Sequence, residues 1–274
     1  MARKPAKQPV AQVAAPEPSA MPKRRSRAIG GIPIRFLLPN LLTLLALCSG
    51  VTAIRFAVEG RFELAVGGII FAVVLDGFDG RLARYLKGTS RFGAELDSLA
   101  DFVNFGVAPA ILVYFWSLNW LSTFGWVVCL MLSIACALRL ARFNVALDDP
   151  DKPAWAASFF TGMPAPAGAV LSLAPLYLGF LGILTEGHSF MRAIAAYEIL
   201  VAVLMVSRVP TFSGKTFTRV PREFVLPFLA LMVLFVVFLI SYPWETLAAL
   251  SALYLLMIPV SVASYRRHKR AKAG

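Results

Sequence analysis

Residues Asp76 to Asp101 read DGFDGRLARYLKGTSRFGAELDSLAD. Four aspartates stand in two pairs, Asp76 with Asp79 and Asp97 with Asp101, inside a sequence that is otherwise mostly apolar. Residues three or four apart share a helix face, so each pair can aim both carboxylates at one point. Gly88, Thr89, Ser90 and Gly93 between the pairs form a turn-rich break that folds the second helix back on the first. Four negative charges then meet in one small volume, which low dielectric does not tolerate without cations. A divalent-metal site is the economical reading.

Working outward, the chain has 274 residues, of which 58% are hydrophobic and only 15% charged. With a mean hydropathy of +0.72 this is membrane composition, and several apolar runs reach 18 residues or more. The fold class expected is all-α and integral to the membrane. The net charge of +12 would suggest nucleic acid in a soluble protein. Here the basic residues sit in short loops and tails, so orientation in a bilayer explains them and no nucleic-acid partner is expected. Cys48, Cys129 and Cys136 lie singly in apolar runs and imply neither disulfide nor zinc site. No early apolar core precedes a small-residue cleavage site, so no removable signal peptide is expected.

Residues 1–28, rich in Ala, Pro, Lys and Arg, read as a disordered basic cytoplasmic tail able to rest on anionic headgroups. A short juxtamembrane helix is expected from Ile29 to about Leu38. About eight transmembrane helices follow, near 39–58, 62–85, 93–116, 120–145, 164–184, 190–206, 224–240 and 246–263. Residues 29–215 form the expected catalytic domain, 216–263 two additional helices and 264–274 a second basic tail. With both termini inside, only Arg55, Arg61 and Arg192 of the 27 basic residues fall on the outer side. This N-in, C-in arrangement puts both aspartate pairs at the cytoplasmic face. Glu198, in mid-span, is expected to pair, with Arg55 or Tyr197 as candidates.

Mg²⁺ and Mn²⁺ are hard cations that prefer carboxylate and phosphate oxygens, and two of them can clamp a phosphoryl group during displacement. Gly77, Gly80, Ala83 and Gly93 leave a bare face that a base or a pyrophosphate can approach, and Arg84 and Arg91 offer guanidinium forks for phosphate oxygens. A phosphorylated substrate fits.

The pattern D-x-x-D-G-x-x-A-R, eight residues, then G-x-x-x-D-x-x-x-D is matched by Asp76, Asp79, Gly80, Ala83, Arg84, Gly93, Asp97 and Asp101. It resembles the signature of the CDP-alcohol phosphatidyltransferases, membrane enzymes that join a CDP-activated lipid to an alcohol and release CMP. PNLLTLL (39–45), DSLADFVNFGVAPA (97–110), RLARFN (139–144), FTGMPAPAGA (160–169) and LMVSRVPTFSGK (204–215) look like the phosphatidylserine synthase branch. The resemblance covers roughly residues 30–215. It implies two divalent ions on the four aspartates, Asp101 as general base, CDP-diacylglycerol and L-serine as substrates, a homodimer, and an active site on the cytoplasmic side of the cell inner membrane.

On that reading cytidine lies over Gly80, Ala83 and Gly93, with Asn40 and Thr43 as polar contacts, and Arg139 and Arg142 receive the serine carboxylate. The rivals are a glycerol-phosphate or inositol-phosphate acceptor within the family, a membrane prenyltransferase, and a transporter. A covalent phospholipase-D-like route requires H-x-K motifs, and neither His188 nor His268 stands in one.

Overall fold

A computed structural model describes residues 34–86, 88, 90–147, 159–184, 189–207, 209–212 and 224–271. Helix α1 (Ile34–Val58) turns at Gly60, which has φ +75°, into α2 (Phe62–Tyr85). The two lie side by side: Ser49 Oγ donates to the Gly68 carbonyl at 2.7 Å, and a side chain on Gly68 would press within 3.1 Å of Ala53. Small residues let membrane helices approach closely, and this seam is built of them.

Helix α1 runs unbroken through Pro39, so residues 34–38 of the expected juxtamembrane segment continue directly into the first apolar span. A proline this near a helix start forfeits one backbone hydrogen bond and does not end the helix.

Ser90 caps α3 (Arg91–Asp101), its hydroxyl accepting the Gly93 N–H at 2.9 Å. The chain then widens into a π turn, Phe102–Val107, before α4 (Ala108–Trp116). A 3-10 turn, Leu118–Leu121, leads to α5 (Ser122–Leu147). The fifth apolar segment is two helices, α6 (Ala165–Ser172) and α7 (Ala174–Phe180), with Pro175 in the first turn of α7. Helices α8 (Met191–Val206), α9 (Val225–Ser241) and α10 (Pro243–Ala271) complete the bundle.

The break between α6 and α7 releases backbone groups that a bilayer cannot hydrate. Two side chains of α8 meet it: Tyr197 Oη donates to the Leu171 carbonyl at 2.8 Å, and Ser172 Oγ donates to Glu198 Oε2 at 2.8 Å. Arg55 is instead paired with Glu59 at 2.7 Å, so it is not the partner of Glu198.

The core has two centres. One gathers Ala53, Ala57, Val66, Ile69, Leu112, Leu176 and Tyr177. The other gathers Phe105, Leu132, Cys136, Met163, Ala169 and Met205. By contrast α9 buries none of its residues, as suits a helix facing lipid.

Leu37–Val58, Arg91–Trp116, Leu118–Ala146 and Pro243–Ser264 are each long and apolar enough to cross a bilayer, and Ala165–Phe180 and Val225–Ser241 are shorter apolar segments. This is an all-helical integral membrane protein with one small exception. Strand β1 (Phe159–Thr161) pairs antiparallel with β2 (Pro210–Phe212), with Phe160 opposite Thr211. Prolines and Gly162 bound these short stretches, which favours extended chain over helix. The tail 1–28 and the loop 148–153 lie outside the described residues.

Candidate active site

The site forms where α2 and α3 meet. Asp97 and Asp101 stand four apart on α3, and Asp76 faces them from the end of α2. Carboxylate oxygens of these three lie within 4.8 Å of one another. Asp79 stands beside this group rather than in it. It is buried, and its Oδ2 accepts the Thr43 hydroxyl of α1 at 2.7 Å. Of the four aspartates expected to share a site, three thus meet within 4.8 Å, and Asp79 neighbours them while held by Thr43 of α1.

Among the described residues no lysine or arginine forms a direct ion pair with these carboxylates; the ion pairs present join Arg55 and Arg61 to Glu59. Three converging carboxylates with no direct ion pair among the described residues are a donor set suited to a hard divalent ion.

Beside the aspartates opens a cleft of about 200 Å³, lined by Pro39, Asn40 and Thr43 of α1, Asp79, Gly80, Ala83 and Arg84 of α2, Gly88, Ser90, and Gly93, Ala94 and Asp97 of α3. Six of the seven residues expected to contact the nucleotide line this one space. The seventh, Arg91, is exposed and lies outside the lining. Gly80 and Gly93 are bare for different reasons. A side chain on Gly80 would meet nothing within 4 Å and would project into the cleft, whereas one on Gly93 would meet Asn40 Oδ1 at 2.8 Å and Ser90 Oγ at 3.1 Å. The first glycine leaves room for a ligand and the second lets α1 approach α3.

Asp76 and Asp101 do not line the cleft. Arg139 of α5 interacts electrostatically with Asp101, and its guanidinium lies 5.4 Å from the Phe143 ring centroid. One turn on, Arg142 Nη1 donates to the Val206 carbonyl at 2.7 Å, at the end of α8. The two arginines expected as a pair have separate surroundings. Asn144 Nδ2 donates to Ser98 Oγ at 2.9 Å and ties α5 to α3 between the second pair of aspartates.

A family model described as CDP-alcohol phosphatidyltransferase matches residues 36–207, and a second, CDP-alcohol phosphatidyltransferase 2, matches residues 223–259. The chain belongs to the CDP-alcohol phosphatidyltransferase family. It is 39% identical over 232 residues to the CDP-diacylglycerol–serine O-phosphatidyltransferase of Mycobacterium leprae, covering 84% of this chain and 76% of that one. The Helicobacter pylori (strain 26695) protein of the same name is 35% identical over 81% of this chain and 89% of its own. An archaetidylserine synthase of Methanothermobacter thermautotrophicus is 36% identical over 63% of this chain and 68% of its own. CDP-alcohol phosphatidyltransferases are generally divalent-metal dependent, and the acidic cluster of Asp76, Asp97 and Asp101 suits that chemistry.

Sequence reasoning missed Ser98, which meets Asn144 of α5, and Pro39, Ser90 and Ala94 in the cleft wall. Ser90 carried a readable signal as a cap three residues before Gly93. The others did not, because their roles depend on how α1 and α5 dock.

Proposed function

We propose that this protein is a phosphatidylserine synthase, transferring the phosphatidyl group of CDP-diacylglycerol to the hydroxyl of L-serine with release of CMP. The observation that carries this reading is the division of the four aspartates, with Asp79 and Asp97 in the wall of the cleft and Asp101 turned toward Arg139. Relatives named for serine transfer support the choice of acceptor.

CDP-diacylglycerol enters from the inner leaflet with its acyl chains in lipid. The cytidine lies on Gly80 and Ala83 between Asn40 and Gly93, and Arg84 pairs with phosphate oxygens. Asp76, Asp97 and Asp101, with Asp79 alongside, would hold a pair of Mg²⁺ or Mn²⁺ ions, which would supply positive charge against the pyrophosphate and the departing CMP. Serine approaches from the α5 side, its carboxylate facing Arg139. Asp101 takes the hydroxyl proton, the serine oxygen bonds to the lipid-proximal phosphorus, and the bond from that phosphorus to the CMP oxygen breaks. Arg91, exposed and outside the cleft, is left to headgroup contact.

The bundle crosses the inner membrane eight times with both termini and the active site in the cytoplasm, and it functions as a homodimer. Residues 29–215 are catalytic and the last two helices supplement them. Helix α2 carries the charges its chemistry needs and α8 has only 16 residues, so neither meets a composition rule for spanning although each lies within the bundle. The asymmetry of the basic residues supports the orientation.

The test is CMP release by purified protein given CDP-diacylglycerol, Mn²⁺ or Mg²⁺, and a panel of alcohols. Serine-dependent release supports the reading. Release only with glycerol phosphate or inositol phosphate moves the protein to another branch.

A further inference from the structure

Three segments that are distant in the chain converge at the end of α8. Arg142 of α5 donates to the Val206 carbonyl at 2.7 Å. Gly162, the residue after β1, has φ +81° and donates its N–H to the Val209 carbonyl at 2.9 Å. A side chain there would meet the Ser207 carbonyl at 2.7 Å and the Met205 carbonyl at 3.0 Å. Ser207 Oγ turns back to the Leu204 carbonyl at 2.8 Å. The last carbonyls of a helix have no partner within it, and a cation is favourable there. At α8 a guanidinium and a tight glycine turn fill that place.

We propose that Arg142 is a positioning residue and not a ligand of the acceptor: it locks the end of α5 to the end of α8, and the lock aims Arg139 at Asp101. The inference rests on the serine-transfer reading above and deepens it. A half-buried guanidinium committed to a carbonyl is not free to follow a small acceptor, whereas Arg139, one turn earlier, already interacts with Asp101. Asn144, two residues beyond, holds the same helix end to Ser98, so the tip of α5 is fixed on both sides. The two stretches that resemble the serine branch, 160–169 and 204–215, supply the rest of the lock through the β1–β2 ribbon and Gly162. Acceptor choice is thus tied to a junction that touches no substrate.

The experiment compares Arg142→Ala, Arg142→Lys, Gly162→Ala, the Arg142→Ala/Gly162→Ala double variant and Arg139→Ala as full-length protein. Serine and CDP-diacylglycerol kinetics are read with thermal unfolding of the ligand-free protein. Arg142→Ala lowers kcat about 10- to 100-fold and raises serine KM by less than Arg139→Ala does, as loss of a charged hydrogen bond that only aims Arg139 predicts. Its unfolding midpoint falls by roughly 2–8 °C. Arg142→Lys, whose ammonium reaches one carbonyl, restores most of both losses. Gly162→Ala, which has no means of reading a carboxylate, reproduces the Arg142→Ala kinetics, and the double variant is no worse than the poorer single one. Arg139→Ala raises serine KM more than about tenfold.

A tenfold rise in serine KM for Arg142→Ala with kcat and unfolding midpoint kept overturns the proposal, as do losses that multiply in the double variant. If Gly162→Ala does not fold, Arg142→Ala and Arg142→Lys decide alone. If the wild type shows no serine-dependent CMP release, the functional reading fails, and the unfolding midpoints still decide whether Arg142 locks the junction.

Discussion

The Thr43 hydroxyl on α1 donates to Oδ2 of Asp79 on α2 at 2.7 Å, and Thr43 Oγ1 lies 3.1 Å from the Pro39 carbonyl. Asp79 so held lies in the cleft wall with Asp97. A hydrogen bond to a charged group contributes about 1.5–3 kcal/mol, which corresponds to roughly 10- to 100-fold in rate if it is spent on orientation. Thr43→Val should therefore lower metal-activated CMP release by about tenfold or more, and Thr43→Ser should recover it. Rates at a series of Mg²⁺ concentrations check this, and an unchanged activation curve for Thr43→Val would remove Thr43 from the site.

Gly80 and Gly93 predict opposite outcomes for the same change. Alanine at position 80 meets no protein atom and improves the helix by about 0.5–1 kcal/mol, yet its methyl enters the cleft. The expected result is an unfolding midpoint equal to or above wild type with CDP-diacylglycerol KM raised about tenfold, since a misplaced methyl in a filled site costs about 1–3 kcal/mol. Alanine at position 93 must displace Asn40 and the capping hydroxyl of Ser90, so it lowers the midpoint as well as the activity. A pair of melting curves and a pair of KM values separate the two roles.

The aspartates and the cleft wall were legible in the sequence for a physical reason: helical spacing fixes which side chains share a face, and small residues at that spacing leave a groove. Their partners were not legible. Whether Asp79 joins Asp76 depends on the docking of α1, and Thr43 read equally well as a nucleotide contact. The π turn after Asp101 and the break after Ser172 lie in apolar runs whose hydropathy is continuous. Glu198 was recognisable as an anomaly, but the hydroxyl that meets it, Ser172, stands in a neighbouring helix. The β1–β2 ribbon joins stretches about fifty residues apart, and neither predicts its partner.

The seam of α1 against α3 has a reciprocal construction. At one end Asn40 of α1 rests on Gly93, and at the other Asn104, in the π turn, rests on Gly50 of α1. Asn104 is buried, and its Oδ1 has no hydrogen-bond partner among the described residues. It faces the bare Gly50 backbone, where a Cα–H contact is the available compensation. Gly50→Ala drives a methyl into that amide and should destabilise by about 1–3 kcal/mol. Asn104→Ala in the same chain removes the collision, so the double variant should be more stable than Gly50→Ala alone. Equal stability of the single and double variants would show that the two residues do not set this seam.

Asp101 closes α3 immediately before the π turn, outside the cleft and beside Arg139. Of the two aspartates outside the cleft it is the one that interacts with Arg139, and the proposed function makes it the one that meets the acceptor. Asn keeps the shape and one oxygen of Asp but does not take up a proton at neutral pH. Asp101→Asn should therefore bind CDP-diacylglycerol within a few-fold of wild type while its transfer rate falls by about 10²–10⁴, the range general-base catalysis supplies. Asp97→Asn, in the wall of the cleft, should weaken CDP-lipid binding as well as the rate. Binding titrations with the CDP-lipid and single-turnover CMP release distinguish the two patterns. Robust serine transfer by Asp101→Asn would end the base assignment and move proton acceptance to Asp76, whose carboxylate lies within 4.8 Å.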